Sequence, residues 1–185
     1  MTEKDLFETY KKDVYRTCYF MLHHAADAED VCQEVFLTVF RHDWRQVEHL
    51  KTWLMRVTVN HCLNHLKKNS RKLAHEKRLQ QQTAGAAEKA AETVAEEREA
   101  AKECVHLLSR LPGKMRAVVS LRFINECSLS EVADILGIPV GTVKSRLNKG
   151  LKLMKRMVQP NGEHNGEEGG AYGKGRTNVY SLFRR

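Results

Sequence analysis

The chain has no apolar run approaching the roughly 18 residues that a membrane-spanning helix requires, so no direct insertion into a bilayer is expected. It opens with MTEKDLFETY, polar and mixed in charge, unlike a secretory leader. Proline is scarce, confined to positions 112, 139 and 160, so long stretches are free to be helical. The five cysteines, Cys18, Cys32, Cys62, Cys104 and Cys127, are odd in number and form no CxxC pair. That pattern excludes a disulfide framework and predicts buried, reduced thiols in a cytoplasmic protein. Signs of catalysis are missing as well. There is no nucleophile elbow and no catalytic carboxylate pair, and the glycines of GEEGGAYGKG (166–175) follow no strand and open no helix. No enzyme active site and no cofactor are expected. His61 and His65 stand one helical turn apart beside Cys62, a spacing that could hold a metal. No convincing third ligand accompanies them, and Lys67 and Lys68 follow closely, so no metal site is expected.

What the chain does have is concentrated in SLSEVADILGIPVGTVKSRLNKGL (128–151). Val132, Ala133, Ile135 and Leu136 share one face of a first short helix, and Val143, Leu147 and Leu151 recur every four residues on a second. Gly137 suits a left-handed helix end, and Pro139 cannot continue that helix. The small Ala133, the turn glycine and the buried-type Val143 have the spacing of a helix-turn-helix, whose helices must cross closely. The second helix then turns Thr142, Lys144, Ser145, Arg146, Asn148 and Lys149 outward, a donor-rich set suited to base edges and phosphates. The formal net charge of +8 agrees with a nucleic-acid partner but is weak evidence alone. Its distribution says more. Residues 105–158 hold ten Lys or Arg against three Asp or Glu, placing the excess where a phosphate-binding face needs it.

The rest reads as helices. Leu6, Phe7, Tyr10, Val14, Cys18 and Met21 form a helical stripe over Leu6–Leu22, and Asp27 is placed to cap a second helix reaching Phe40. A charged loop, Arg41–Leu50, contains Trp44, which could be core or could stack on a base. Trp53–Lys68 is a third helix, with Trp53, Leu54, Val57, Cys62 and Leu66 toward the core. Residues 80–97, QQQTAGAAEKAAETVAEE, lack a large apolar stripe and read as a flexible linker. A helix resumes near Ala101 and stops before Pro112, and another begins there with the proline in its first turn. The sequence after Pro160 is rich in Gly, Asn and Glu and is expected to be a disordered tail. The expected fold is therefore all-α: two small helical domains, 1–80 and 101–158, joined by a linker at 81–100 and followed by the tail 159–185. Cores of that size are marginal alone, which points to work within a larger assembly.

These segments carry a resemblance. DAEDVCQEVFLTVF (27–40), followed by HLKTWLMRVTVNHCLNHLKK (49–68), resembles regions 2.1 to 2.4 of the sigma-70 family, in particular its extracytoplasmic-function (ECF) group. LPGKMRAVVSLRFINECSLSEVADILGIPVGTVKSRLNKGLKLMK (111–155) resembles region 4 of the same group. The resemblance implies a factor that binds core RNA polymerase and promoter DNA and is controlled by an anti-sigma factor. It implies that the helix 27–40 docks on polymerase through Asp30, Gln33, Glu34 and Leu37. It further implies that a −10 element is read and opened by Asn60, His61, Asn64, Lys67, Lys68 and Arg71, and that a −35 element is read by helix 140–153. The alternative is a stand-alone helix-turn-helix regulator, for which a dimer would be expected because two half-sites supply the affinity.

Overall fold

The computed structural model describes residues 1–80 and 104–158, with side chains to residue 72 and from 104 onward. Among the described residues there are only helices and their connections. The expected linker and tail lie outside them.

Helix α1 spans Glu3–Leu22 and begins earlier than the apolar stripe. Thr2 and Asp5 form a reciprocal capping box, with the Thr2 amide donating to Asp5 Oδ2 at 2.8 Å and the Asp5 amide donating to Thr2 Oγ1 at 3.2 Å. The helix ends at His23, whose φ of 63° is left-handed. Helix α2 spans Ala25–Phe40. Its cap is His24 rather than Asp27. The His24 ring accepts from the Asp27 amide, and Asp27 sits inside the first turn where its charge favours the helix dipole. A 3₁₀ turn, Trp44–Gln46, buries Trp44 to 3% exposure with the Arg45 guanidinium 4.6 Å from its ring centre, so Trp44 is core. Trp53 is half-buried against the same core, edge-on to His42. Helix α3 runs Leu50–Gln80, well past the expected Lys68.

The second group contains α4 (residues 104–109), α5 (Gly113–Phe123), α6 (Leu129–Leu136) and α7 (Val140–Val158). Pro112 is the residue flanking α5, just outside its first turn. Ser128 and Glu131 form a second capping box at the start of α6, and Gly137 ends that helix at φ 62° as the turn requires. Cys104, Leu107, Leu108, Leu111, Val119 and Met154 close a core among α4, α5 and α7. Gly150 lets α7 lie against α5: a Cβ there would stand 3.1 Å from Val119 Cγ2.

The two groups are not separate beads. One apolar cluster joins Leu6, Val14, Met21, Val31, Val35, Leu54, Met55 and Val59 to Ala117, Val118, Leu121, Val132, Ile135 and Val143. Helices α5 and α6 pack on α1 and α3. Gly113, at the start of α5, comes so close to α3 that a Cβ would meet Leu63 Cδ2 at 3.2 Å. Polar links reinforce the contact. Arg116, buried on α5, donates to the Met21 carbonyl across the boundary at 2.5 Å and to the Ser109 and Leu111 carbonyls of its own group at 2.6 and 3.0 Å. The Asn125 amide donates to Thr17 Oγ1 at 2.9 Å, and Thr17 in turn donates to the Asp13 carbonyl at 2.7 Å. Arg56 of α3 donates through Nε to the Ile135 carbonyl at 3.2 Å and through Nη2 to the Asp134 carbonyl. All five cysteines are free thiols, and Cys18 and Cys62 are buried together with 3.7 Å between sulfurs.

Two predictions follow from this packing. Gly150→Leu overfills the α5–α7 contact and should cost about 1–3 kcal/mol in chemical denaturation. His23 provides a pH test, because neither ring nitrogen has a partner. Burial, then the nearby Arg116 and His106, push its imidazole from an ordinary 6.5 down to about 3. The unfolded chain therefore takes up this proton first. The contribution of a neutral His23 is intact above about 6.5 and drains as pH falls toward about 3. His23→Asn keeps a residue that tolerates the left-handed cap and removes the titration. Between those pH values its denaturation midpoint should fall less steeply than that of the parent chain.

Candidate nucleic-acid interface

The helix-turn-helix is α6, the Gly137–Pro139 turn and α7. The Thr142 and Val143 amides donate to the Pro139 carbonyl at 2.9 and 3.1 Å, winding the first turn of α7 directly out of the corner. Val143, Gly150 and Met154 are buried on the inner side. Lys144, Ser145, Asn148 and Lys149 are exposed on the outer side, with Thr142 and Arg146 half-buried at its margins. Ser145 Oγ donates to the Thr142 carbonyl at 3.0 Å, which orients that hydroxyl along the helix. Among the described residues the ion pairs lie on α1, α2 and α3. Among the described residues no carboxylate forms an ion pair with the cations of α7, an arrangement suited to phosphate contacts.

On α3, Asn60, Asn64, Lys67, Lys68 and Arg71 are all exposed. Asn60, Asn64, Lys67 and Arg71 fall within one quarter of the helix circumference, because three- and four-residue steps stack on a helix. Lys68 stands beside this stripe. His61 lies elsewhere. It is half-buried against α2, with Nε2 3.2 Å from Thr38 Oγ1 and Nδ1 3.5 Å from Glu34 Oε2. His65 repeats the arrangement one turn on, 3.4 Å from Asp27 Oδ2 and 3.0 Å from the Asn69 amide nitrogen. The two histidines thus cross-brace α2 and α3. No cluster of three or more metal-ligating side chains occurs among the described residues.

Asp30, Gln33, Glu34 and Leu37 share the outer face of α2. Leu37 is 57% exposed among polar neighbours, while the adjacent Phe36 is buried at 3% and in edge contact with Phe7. A large apolar side chain is thus left in water beside two carboxylates and an amide. Arg56 and Arg116 gave no signal in the sequence, because their partners are backbone carbonyls distant in the chain.

Comparison with known proteins bears on this arrangement. Residues 6–72 match the family model for Sigma-70 region 2, and residues 102–154 match that for Sigma-70, region 4. The chain is 30% identical over 168 residues to the ECF RNA polymerase sigma factor SigW of Bacillus subtilis, covering 84% of this chain and 88% of that one. It belongs to the ECF group of the sigma-70 family. The RNA polymerase sigma factor SigV of Bacillus subtilis is 26% identical over 149 residues, with 79% and 84% covered. Among solved structures, the sigma factor RpoE of Bartonella quintana, in complex with the anti-sigma factor NepR, shares the fold with a TM-score of 0.61 and 17% identity. That match covers 85% of this chain and 97% of that one. CnrH, in complex with the cytosolic domain of CnrY, gives 0.58 and 17%, covering 86% and 89%. In this sigma factor α1–α3 are therefore region 2, and α4–α7 are region 4. No helix among the described residues is long and apolar enough to cross a membrane.

The acidic patch on α2 gives a prediction. Leu37→Ala removes an exposed side chain and should change thermal stability little. If Leu37 is buried by a partner, the same change should weaken affinity for core RNA polymerase by roughly 1–3 kcal/mol, measured by fluorescence titration.

Proposed function

We propose that this ECF sigma factor binds core RNA polymerase through the α2 face bearing Asp30, Gln33, Glu34 and Leu37, and delivers it to promoters through two DNA faces. Thr142, Lys144, Ser145, Arg146, Asn148 and Lys149 read the −35 element in the major groove of duplex DNA. Asn60, Asn64, Lys67, Lys68 and Arg71 engage the −10 element and hold its separated strand. His61, braced against Glu34 and Thr38, acts here by fixing α3 to α2. Separating a base from its stack costs a few kcal/mol, and a basic groove bearing amide donors offsets that cost. This chain supplies recognition, and the polymerase performs the chemistry in the cytoplasm. An anti-sigma factor fits the same reading, since the matched RpoE and CnrH structures are complexes with NepR and with the cytosolic domain of CnrY.

The observation that carries the reading is the coexistence, in one chain with both sigma regions, of two exposed basic surfaces and a separate acidic patch around Leu37. Co-purification with core polymerase, followed by run-off transcription from a matching promoter, tests it. Dimerisation on duplex DNA without any polymerase binding would replace it with the stand-alone regulator. At the level of residues, Arg146→Ala should cost about 1–3 kcal/mol and relax preference at one base pair if it pairs with guanine. Lys149→Ala should weaken all sequences alike and lower the log–log salt slope by about one unit, as loss of one phosphate contact requires. Fluorescence anisotropy over a salt series separates the two behaviours.

A further inference from the structure

Helix α2 carries charge of one sign. Ala25–Phe40 contains Asp27, Glu29, Asp30 and Glu34 and no Lys or Arg. Among the described residues no Lys or Arg forms an ion pair with it. Glu34 and Asp27 meet histidines instead, His61 at 3.5 Å and His65 at 3.4 Å. The large hydrophobics exposed among the described residues are Met1, Phe7, Leu37 and Val140. Two of these belong to the surroundings of α2. Leu37 stands on its outer face, and Phe7 of α1 borders it through the Phe36 ring, 4.8 Å between ring centres. Lys11 lies over the Phe7 ring but is already paired with Glu8 at 2.8 Å. The face thus combines exposed apolar groups with carboxylates that no Lys or Arg of the described residues pairs with.

The same chain contains the complement of that face. Residues 169–185, GGAYGKGRTNVYSLFRR, hold Lys174, Arg176, Arg184 and Arg185 and no Asp or Glu. Within them Val179, Leu182 and Phe183 recur at the three- and four-residue steps that share one face of a helix, and Ser181 falls opposite. Four carboxylates with exposed apolar neighbours therefore correspond to four cations with an apolar stripe. Reach permits the meeting. Helix α7 ends at Val158, and the twenty residues 159–178 span up to roughly 65–70 Å when extended. A compact body of the described residues is only about 40 Å across. A contact within one chain also competes as if its partner were present at about millimolar concentration, so a modest intrinsic affinity suffices.

We propose that the segment 179–185 of this chain docks on the outer face of its own α2, with Val179, Leu182 and Phe183 against Leu37 and Phe7, and with Arg184 and Arg185 at Asp30 and Glu34. Apolar burial supplies the attraction, and the charges set where the segment lands and exclude the basic faces of α3 and α7. The functional consequence rests on the reading of α2 as the polymerase contact. A docked segment masks that face, and the apparent affinity for core polymerase falls by the fraction of chains left unmasked. The exposed ion pairs weaken with added salt, so masking should be strongest at low ionic strength.

Docking is measured first, on the full chain and without polymerase. Ser181→Cys in a Cys32→Ser background offers one accessible thiol, since Cys18, Cys62, Cys104 and Cys127 are buried. A nitroxide attached there should broaden the amide resonances of Asp30, Glu34 and Leu37 and spare that of Lys144. Adding Arg184→Glu/Arg185→Glu should erase the contrast. A mixture of nitroxide-bearing chains with isotopically enriched, unlabelled ones should show no broadening. Broadening in the mixture makes the occupant a second copy and overturns the proposal. Absence of broadening on α2 also overturns it; if Arg184→Glu/Arg185→Glu then weakens promoter DNA, the segment is a DNA-binding arm instead. Polymerase is the second measurement. Arg184→Glu/Arg185→Glu and the charge-neutral Leu182→Ser/Phe183→Ser should each half-saturate core polymerase at several-fold lower concentration than the parent. Weaker binding by both variants overturns masking, because the segment would then itself touch polymerase. If docking on α2 is observed and both variants bind polymerase as the parent does, docking stands and α2 is not the polymerase contact.

Discussion

Two arginines exchanged across one boundary set the form of this molecule. Helix α1 and helix α6 each stop on carbonyls that nothing local satisfies with charge, and each takes a guanidinium from the opposite region. The apolar residues beneath those links form one cluster rather than two. Each region alone is near the size at which a core becomes marginal. Shared burial relieves that shortage and at the same time fixes where the outer faces of α2, α3 and α7 point.

Helix α3 carries most of the traffic. Its inner side holds Leu54, Met55, Val59 and Cys62 in the core. One flank reaches α2 through His61 and His65, and another reaches region 4 through Arg56, Leu63 and Leu66. What remains in water is the stripe of Asn60, Asn64, Lys67 and Arg71 with Lys68 beside it. The candidate strand-binding surface is thus the part of α3 that packing leaves over. Mutations on either flank should be expected to disturb it indirectly.

Much of this was legible in the sequence where the determinants are local. The helix-turn-helix was, because Gly137, Pro139 and the buried Val143 sit within a few residues of one another and act on backbone conformation directly. The outward set on α7 followed from its periodicity. The Ser128–Glu131 capping box played no part in placing α6 from the sequence, where the turn alone sufficed. Helix α3 came out short in the sequence reading because its apolar stripe ends at Leu66, whereas the helix continues through polar residues to Gln80. Asp27 looked like a cap, but the His24 ring took that role and left Asp27 to meet His65. His61 looked like one more donor on a polar face. Only the position of α2 reveals that it points to Glu34. The links between the regions were invisible, since Arg56 meets its carbonyl partners 78 and 79 residues away and Asn125 meets Thr17 across 108. Backbone acceptors leave no mark on residue identity.

The chemistry of those links has a consequence for how the protein responds to ionic conditions. They join guanidinium to carbonyl and amide to hydroxyl, buried or half-buried, over a shared apolar core. Mobile ions screen exposed charges far more than such contacts. Binding of DNA by lysines and arginines, in contrast, weakens steeply with added salt. Added salt therefore bears on the exposed cations of α3 and α7 far more than on the links that join the two regions.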